Sequence, residues 1–119
     1  MTNQDERIEK MTFASVYPHY VAKVEKKGRN LSELHEIIKW LTGYDSIMIQ
    51  SLIDQKVSFK EFFAKAHIPK DAEKIKGIIC GYRIEDISNV LTRQVRYLDK
   101  IVDELAKGKS IDKIIHRKP

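Results

Sequence analysis

"IEDISNVLTRQVRYLDKIVDELAKG", residues 84–108, decides what kind of fold this chain can have. Ile87, Leu91, Val95, Leu98, Val102 and Leu105 step by four, four, three, four and three residues. An α-helix turns once in about 3.6 residues, so those steps keep the apolar side chains in one stripe. A half-buried strand would need alternation at every second residue, which the stretch lacks. Gly108 closes the helix, and Ser110 is placed to cap one more turn carrying Ile111, Ile114 and Ile115. Read from 84 to 107, the helix has 24 residues, or roughly 36 Å at 1.5 Å per residue. A domain of this size has a radius of gyration of about 13–14 Å. Either the helix spans the whole molecule or part of it projects; a projecting end would leave Leu98, Ile101, Val102 and Leu105 for a partner helix, unless shorter helices from residues 31 to 66 cover them.

Moving upstream, the chain reads as shorter helices separated by caps. In "FASVYPHYVAKVEKKGR" (13–29), Phe13, Val16, Tyr17, Tyr20, Val21 and Val24 recur at helical spacing. Ser15 suits an N-cap, which would put Pro18 in the first turn, where its missing N–H has no partner to lose. Gly28 ends this helix, and Lys23, Lys26, Lys27 and Arg29 fall at the negative end of its dipole. Asn30 and Glu33 form a capping box before Leu31, Leu34, Ile37, Ile38 and Leu41. Gly43 stops that helix, and Asp45 caps the next, which carries Ile49, Leu52 and Ile53. "SFKE" (58–61) reads as a further capping box ahead of Phe59, Phe62, Phe63 and Ala66, with Pro69 blocking extension.

"IKGIIC" (75–80) fits a short buried strand or a helix, and the helix reading ends it at Gly81. "IIKWLTGY" (37–44) and "IKGIICGY" (75–82) echo each other at an offset of 38 residues, as two helix–glycine–helix hairpins would. Residues 1–11 are polar and aperiodic and are expected to fray. The fold expected is all-α: a compact bundle of about six short-to-medium helices with one long C-terminal helix. The expected organisation is a flexible segment over 1–11, one helical domain over 12–116 and a basic tail over 117–119.

A chain of 119 residues is one domain by length and buries roughly two-thirds of its unfolded surface. Three prolines and five glycines interrupt it little, which favours helices. The single cysteine, Cys80, cannot form an internal disulfide or a cysteine-rich metal site; after two isoleucines it reads as a buried, inert thiol. No stretch is long and apolar enough for a membrane span, and "MTNQDERIEK" has acids where a signal peptide would be basic. A cytoplasmic location is expected, with no membrane contact. Net charge is +5, and residues 107–119 carry +4 of it through Lys107, Lys109, Lys113, Arg117 and Lys118 against Asp112. A basic end of this kind is a solvated terminus or a contact for nucleic acid or an acidic partner.

Motifs for known chemistry fail on their own terms. "HEIIK" (35–39) has Lys39 where a zinc-protease helix needs a second histidine. "GKS" (108–110) would place the first glycine of a phosphate loop at Asp103, inside a helix. The four histidines fall on separate elements, so no metal or other cofactor is implied. As a helix-turn-helix, residues 31–54 offer Asp45, Ser46, Gln50, Ser51 and Asp54 where a recognition helix needs cations. "GYRIEDISNVLTRQVRYLD" (81–99) is better supplied, with Arg83, Asn89, Arg93, Gln94 and Arg96, but begins with Glu85 and Asp86. Pairs such as Arg96 with Asp99 at i, i+3 would make it a salt-bridged helix face.

On "FASVYPHYVAKVEKKGR", "WLTGYD", "ICGYRIEDI" and "VRYLDKIVDELAKGK", the chain resembles a bacterial family catalogued as domain of unknown function 2200. The likeness runs from Phe13 to Ile115, with residues 54–76 less alike. It implies a compact single-domain protein of bacterial type and brings no catalytic residues.

The function expected is a binding or interaction module, acting on itself through the C-terminal helix or on another protein. A nucleic-acid-associated protein using the basic tail and the arginines of residues 83–96 is the alternative. An enzyme comes third and needs a pocket joining Tyr17, His19, Tyr44, Cys80 or Asp86. The residues marked as a candidate partner or ligand surface are Tyr17, His19, Tyr20, Tyr44, Asp45, Cys80, Arg83, Asp86 and Arg96.

Overall fold

The computed structural model describes residues 2–118; Met1 and Pro119, the ends of the expected flexible segment and basic tail, lie outside the described residues. Seven α-helices and one small hairpin follow in the order α1 (Asn3–Lys10), α2 (Phe13–Glu25), α3 (Leu31–Thr42), α4 (Ser46–Asp54), α5 (Phe59–Ala64), β1 (Ile78–Ile79), β2 (Tyr82–Arg83), α6 (Val90–Ala106) and α7 (Ile111–Ile115). Short 3-10 turns occupy Lys70–Lys74 and Ile84–Asp86. The all-α reading holds, with a two-stranded hairpin as its one departure among the described residues.

Helix α6 is the axis on which the rest is assembled. It packs against α1, α2, α3, α5, α7 and β1. Leu98, Ile101, Val102 and Leu105 are wholly buried. The helix is shorter than its sequence suggests. Asn89 caps it by accepting the Thr92 N–H at 2.9 Å, and the chain before it is a 3-10 turn with an extended Ile87. Ile87 fits the apolar spacing by register alone. At 17 residues the helix is about 26 Å long, within a molecule of 36 × 34 × 25 Å and radius of gyration 13.4 Å. Its seam is therefore filled from inside the chain, and of the two alternatives the helix spans the molecule without projecting. Its C-terminus closes at Gly108, where Gly108 N–H donates to Leu105 and Lys109 N–H to Glu104.

The start of α2 differs from expectation because of a tertiary contact. Thr12 pairs with Ser58: Phe13 N–H donates to the Val57 carbonyl (3.1 Å) and Phe59 N–H to that of Met11 (2.7 Å). That bridge holds Thr12 extended, so Thr12 rather than Ser15 caps α2, accepting the Ser15 N–H at 3.1 Å. Pro18 then sits in the second turn, inside the helix. Its side is exposed, so water can reach the carbonyl it leaves unbonded. The N-terminal segment, expected to fray, forms α1 over residues 3–10. Thr2 and Asp5 make a reciprocal capping box, Ile8 is buried, and the helix lies on α5 and α6.

The core beneath these helices is aromatic at one end. Phe13 stacks on Phe62 at 4.2 Å, and Phe59, Phe63 and Tyr44 meet Phe62 edge-on. The Asn30–Glu33 box, the Asp45 cap and the Ser110 cap all form. Ser58 caps α5 without the reciprocal Glu61 bond. Gly43 ends α3 at φ 80°, a left-handed conformation that favours glycine, and a Cβ there would press on the Cβ of His67 at 3.3 Å.

Residues 75–80 are not a helix. Ile78 pairs with Arg83 and Ile79 with Tyr82 across a turn at Cys80–Gly81. Both turn residues have positive φ, 53° and 81°, as a type I′ hairpin requires. Cys80 holds the place where Asn or Asp is usual, which hides the turn in the sequence. The two glycine-tyrosine segments therefore end different structures, a helix at Gly43 and a hairpin turn at Gly81, and are no structural repeat.

Candidate functional site

Helix α4 stands out because its composition and its burial disagree. Asp45 caps it, accepting the Met48 N–H at 2.8 Å, and Ile47, Met48, Ile49, Leu52 and Ile53 follow. Apolar residues on a helix are normally gathered on its enclosed face, and α4 carries Ser46, Gln50, Ser51 and Asp54 as its polar residues. Here Ile49 alone is fully buried, Ile47 is 82% exposed and Met48 45%. Ile47 forms a wall between two depressions. On one side a groove of about 440 Å³ runs between α3 and α4 past His35, Glu36, Lys39, Asp45 and Ser46. On the other, a hollow of about 380 Å³ is floored by Gly43, Tyr44, Met48 and Ser51.

The groove floor is pinned by a hydrogen-bonded chain across three helices. The Tyr17 hydroxyl lies 2.5 Å from His35 Nε2, and His35 Nδ1 lies 3.0 Å from Ser46 Oγ. Either ring tautomer completes the chain: Tyr17 donates to Nε2 while Nδ1–H donates to Ser46, or Ser46 donates to Nδ1 while Nε2–H donates to Tyr17. A serine beside a histidine invites comparison with a nucleophile and its base, but the ring's other partner is the Tyr17 hydroxyl, not the carboxylate that stabilises an imidazolium in a triad. The chain is a clasp joining α2, α3 and α4. Burial holds the His35 ring below the usual histidine range, and burial followed by the field of Glu25 raises the Tyr17 hydroxyl.

A second polar cluster joins α1, α2, α6 and the hairpin. Tyr20, buried, donates to Asp99 Oδ1 at 2.6 Å. Asp99 Oδ2 accepts from Arg96 at 2.9 Å, and Arg96 also donates to Gln4 Oε1 at 2.6 Å. The Arg96 guanidinium lies over the Tyr82 ring, 5.0 Å from its centre. Thr92 donates to Asp5 Oδ1 at 2.5 Å alongside. Burial first, then Asp99, pushes the Tyr20 hydroxyl well above its ordinary value. Every polar group here has a partner, so the cluster holds α1 and the hairpin onto α6. Beside it a shallow cleft of about 360 Å³ is lined by Gln4, Asp5, Tyr82, Arg83, Asp86 and Asn89.

Seven of the nine residues expected to mark a surface fall in these two regions; His19 and Cys80 lie outside both. Tyr17, Tyr44 and Asp45 belong to the α3–α4 side, with the Tyr44 hydroxyl donating to the Phe62 carbonyl at 2.7 Å. Tyr20, Arg83, Asp86 and Arg96 belong to the other; Arg83 and Asp86 form only a loose exposed pair at 3.9 Å. His19 is exposed on α2. Cys80 is exposed on the hairpin tip, not buried as its neighbours suggested, because the turn carries it outward. Arg96 is taken up by Asp99, Gln4 and Tyr82 and is not presented as a base-reading side chain. The sequence reading missed His35, Ser46, Ile47 and Met48. For His35 and Ser46 no signal existed, since they are paired only by helix packing. Ile47 and Met48 did carry one: they lie off the face that buries Ile49.

Among the described residues, no three His, Cys, Asp or Glu side chains converge as a metal site would need. No described helix is long and apolar enough to cross a membrane.

Comparison with known proteins agrees with this architecture. The crystal structure of uncharacterized protein SP1917 superposes with a TM-score of 0.86 at 38% sequence identity, covering 97% of this chain and 93% of that one. Among curated proteins none matches. A family model, DUF2200, described as an uncharacterized protein conserved in bacteria, matches residues 7–116. That span takes in every helix from α2 to α7 with the second half of α1, and the chain belongs to the DUF2200 family.

Proposed function

We propose that the protein is an interaction module that docks an apolar protein surface on its α3–α4 hairpin. The observation that carries this is the exposure of α4: Ile47 at 82% and Met48 at 45%, on a helix whose one fully buried residue is Ile49. Scattered exposed apolar residues are ordinary, but two on one turn flanked by concave surface suit a partner. Asp45, Glu36 and Lys39 supply a polar rim. The clasp through His35 keeps the groove in shape before a partner arrives, which lowers the ordering cost of binding. A nine-residue helix presents a small area, so the contact is a transient one. Self-association is assigned to this face and not to the C-terminal helix, whose seam lies inside the chain. A cytoplasmic location goes with this reading, since the one cysteine is an exposed thiol suited to a reducing compartment.

The test combines two measurements. Solution mass by light scattering is followed over a wide concentration range for wild type, Ile47→Asp and Met48→Lys. In parallel, a photo-crosslinking residue at position 47 is compared in bacterial cells with one at exposed Lys65. A mass that rises with concentration and is lost in both variants supports self-association. A discrete crosslinked protein specific to position 47 supports a different partner. A constant monomer mass together with equal crosslinking at 47 and 65 overturns the proposal.

A further inference from the structure

The C-terminal end of the chain folds back and builds a basic cleft from three separate segments. Lys74 ends the 3-10 turn at Lys70–Lys74, Lys109 follows α6, and Lys113, His116, Arg117 and Lys118 come from α7 and the residues after it. Together they line a depression of about 320 Å³. The expected basic tail is thus only partly a tail. Arg117 is 10% exposed and donates to both oxygens of Glu104, at 2.7 and 2.9 Å. It also donates to the Lys74 carbonyl at 3.4 Å, which ties the chain end to the 3-10 turn. The cleft has a fixed base.

Among the described residues its charge is not balanced from within: five cations, Lys74, Lys109, Lys113, Arg117 and Lys118, face three carboxylates, Glu104, Asp71 and Asp112. Glu104 is engaged by Arg117 and by Lys109 at 3.4 Å. Burial raises its carboxyl, but these two cations outweigh that and hold it below the usual range. Asp71 and Asp112 are 53% and 85% exposed, so water and salt screen them. Like charges gathered in a concave surface focus a positive field and concentrate counter-anions there. Lysines around a buried arginine supply several movable N–H donors on a rigid base, which suits an oxygen-rich dianion.

The geometry points to a phosphate-binding site in this cleft, taking the phosphate of a small phosphorylated molecule or of a nucleic-acid backbone. The site is separate from the α4 face and shares no lining residue with either depression beside Ile47. The probes are inorganic pyrophosphate and a fluorescent single-stranded oligonucleotide, each with wild type, Lys113→Glu/Lys118→Glu and the milder Lys113→Gln/Lys118→Gln. Amide chemical shifts report where pyrophosphate binds; anisotropy reports the oligonucleotide. Expected are shifts concentrated at Lys74 and residues 109–118, with affinity reduced about tenfold or more by charge reversal and less by neutralisation, while the urea unfolding midpoint stays put. An oligonucleotide far tighter than pyrophosphate, with log affinity falling against log salt by about 0.7 per phosphate contacted, identifies the backbone as source. Pyrophosphate binding alone identifies a small ligand. Two results overturn the proposal: no binding of either probe, or shifts spread equally over the other basic cluster at Lys26, Lys27 and Arg29 with no response to the variants.

Discussion

Helices α6 and α4 carry similar apolar side chains and meet opposite fates. In α6, Leu98, Ile101, Val102 and Leu105 are wholly enclosed by five other helices and the hairpin. In α4, Ile49 is enclosed while Ile47 and Met48 face outward. Hydrophobicity is non-directional, so composition alone does not tell these apart. Spacing does. The apolar residues of α6 fall on one stripe opposite Arg93, Lys100 and Lys107, whereas in α4 three consecutive apolar residues, Ile47 to Ile49, cannot all face one core. An apolar residue in the stripe builds the fold, and one outside it is free to serve a partner.

The comparison can be broken most sharply at the seam. Leu98→Ala is expected to cost about 2–5 kcal/mol in urea unfolding, the range for emptying a well-packed site. Val102→Asp, which buries a charge, should unfold the chain instead of dissociating an assembly. A folded, soluble Val102→Asp protein would mean that α6 does not lie at the centre. The next effect in size is at the polar cluster on the same helix. Tyr20→Phe leaves a lone pair of partly buried Asp99 unanswered, and a loss of about 1–3 kcal/mol is expected.

A smaller effect reads the clasp beneath α4. The folded-state pKa of His35 lies below its ordinary value of 6.5, because burial disfavours the charged ring. Protonation therefore favours the unfolded chain. Stability from this group is complete above about pH 6.5 and falls as pH drops through that value toward the folded pKa. The urea midpoint should decline between neutral and mildly acidic pH, and decline less in His35→Gln. An identical slope in the variant would remove His35 as the cause. The smallest effect is expected at Ile47→Asp, within about 0.5 kcal/mol of wild type, because the side chain is already in water. A loss as large as that of Leu98→Ala would show that α4 is core, and the contrast between the helices would disappear.

Much of the local structure was legible because it rests on short-range chemistry. Asn30 with Glu33, Asp45, Ser58 and Ser110 each bond a backbone N–H three residues ahead, and such bonds need no distant partner. The errors share another cause. Thr12 displaced Ser15 as a cap because Ser58 holds it extended, and α1 is ordered because α5 and α6 cover Ile8. "TNQD" did contain the Thr2–Asp5 box, so part of that helix was readable. Cys80–Gly81 adopts a hairpin turn with an unusual residue in a left-handed position, which composition does not announce.

By itself the sequence determined an all-α chain, the caps of α3, α4, α5 and α7, and the apolar stripe in α6, while its stretches of likeness pointed to the family. The caps and the stripe follow from periodicity and from bonds that close within one turn of backbone. Only the tertiary structure decided what the stripe faces, which apolar residues are left over on α4, and how His35 meets Tyr17 and Ser46. It also brought Lys74 to the cations of the C-terminal end, 35 and more residues away in sequence. Such juxtapositions depend on how whole helices pack, and packing is settled by the summed burial of every stripe at once, not by any one segment.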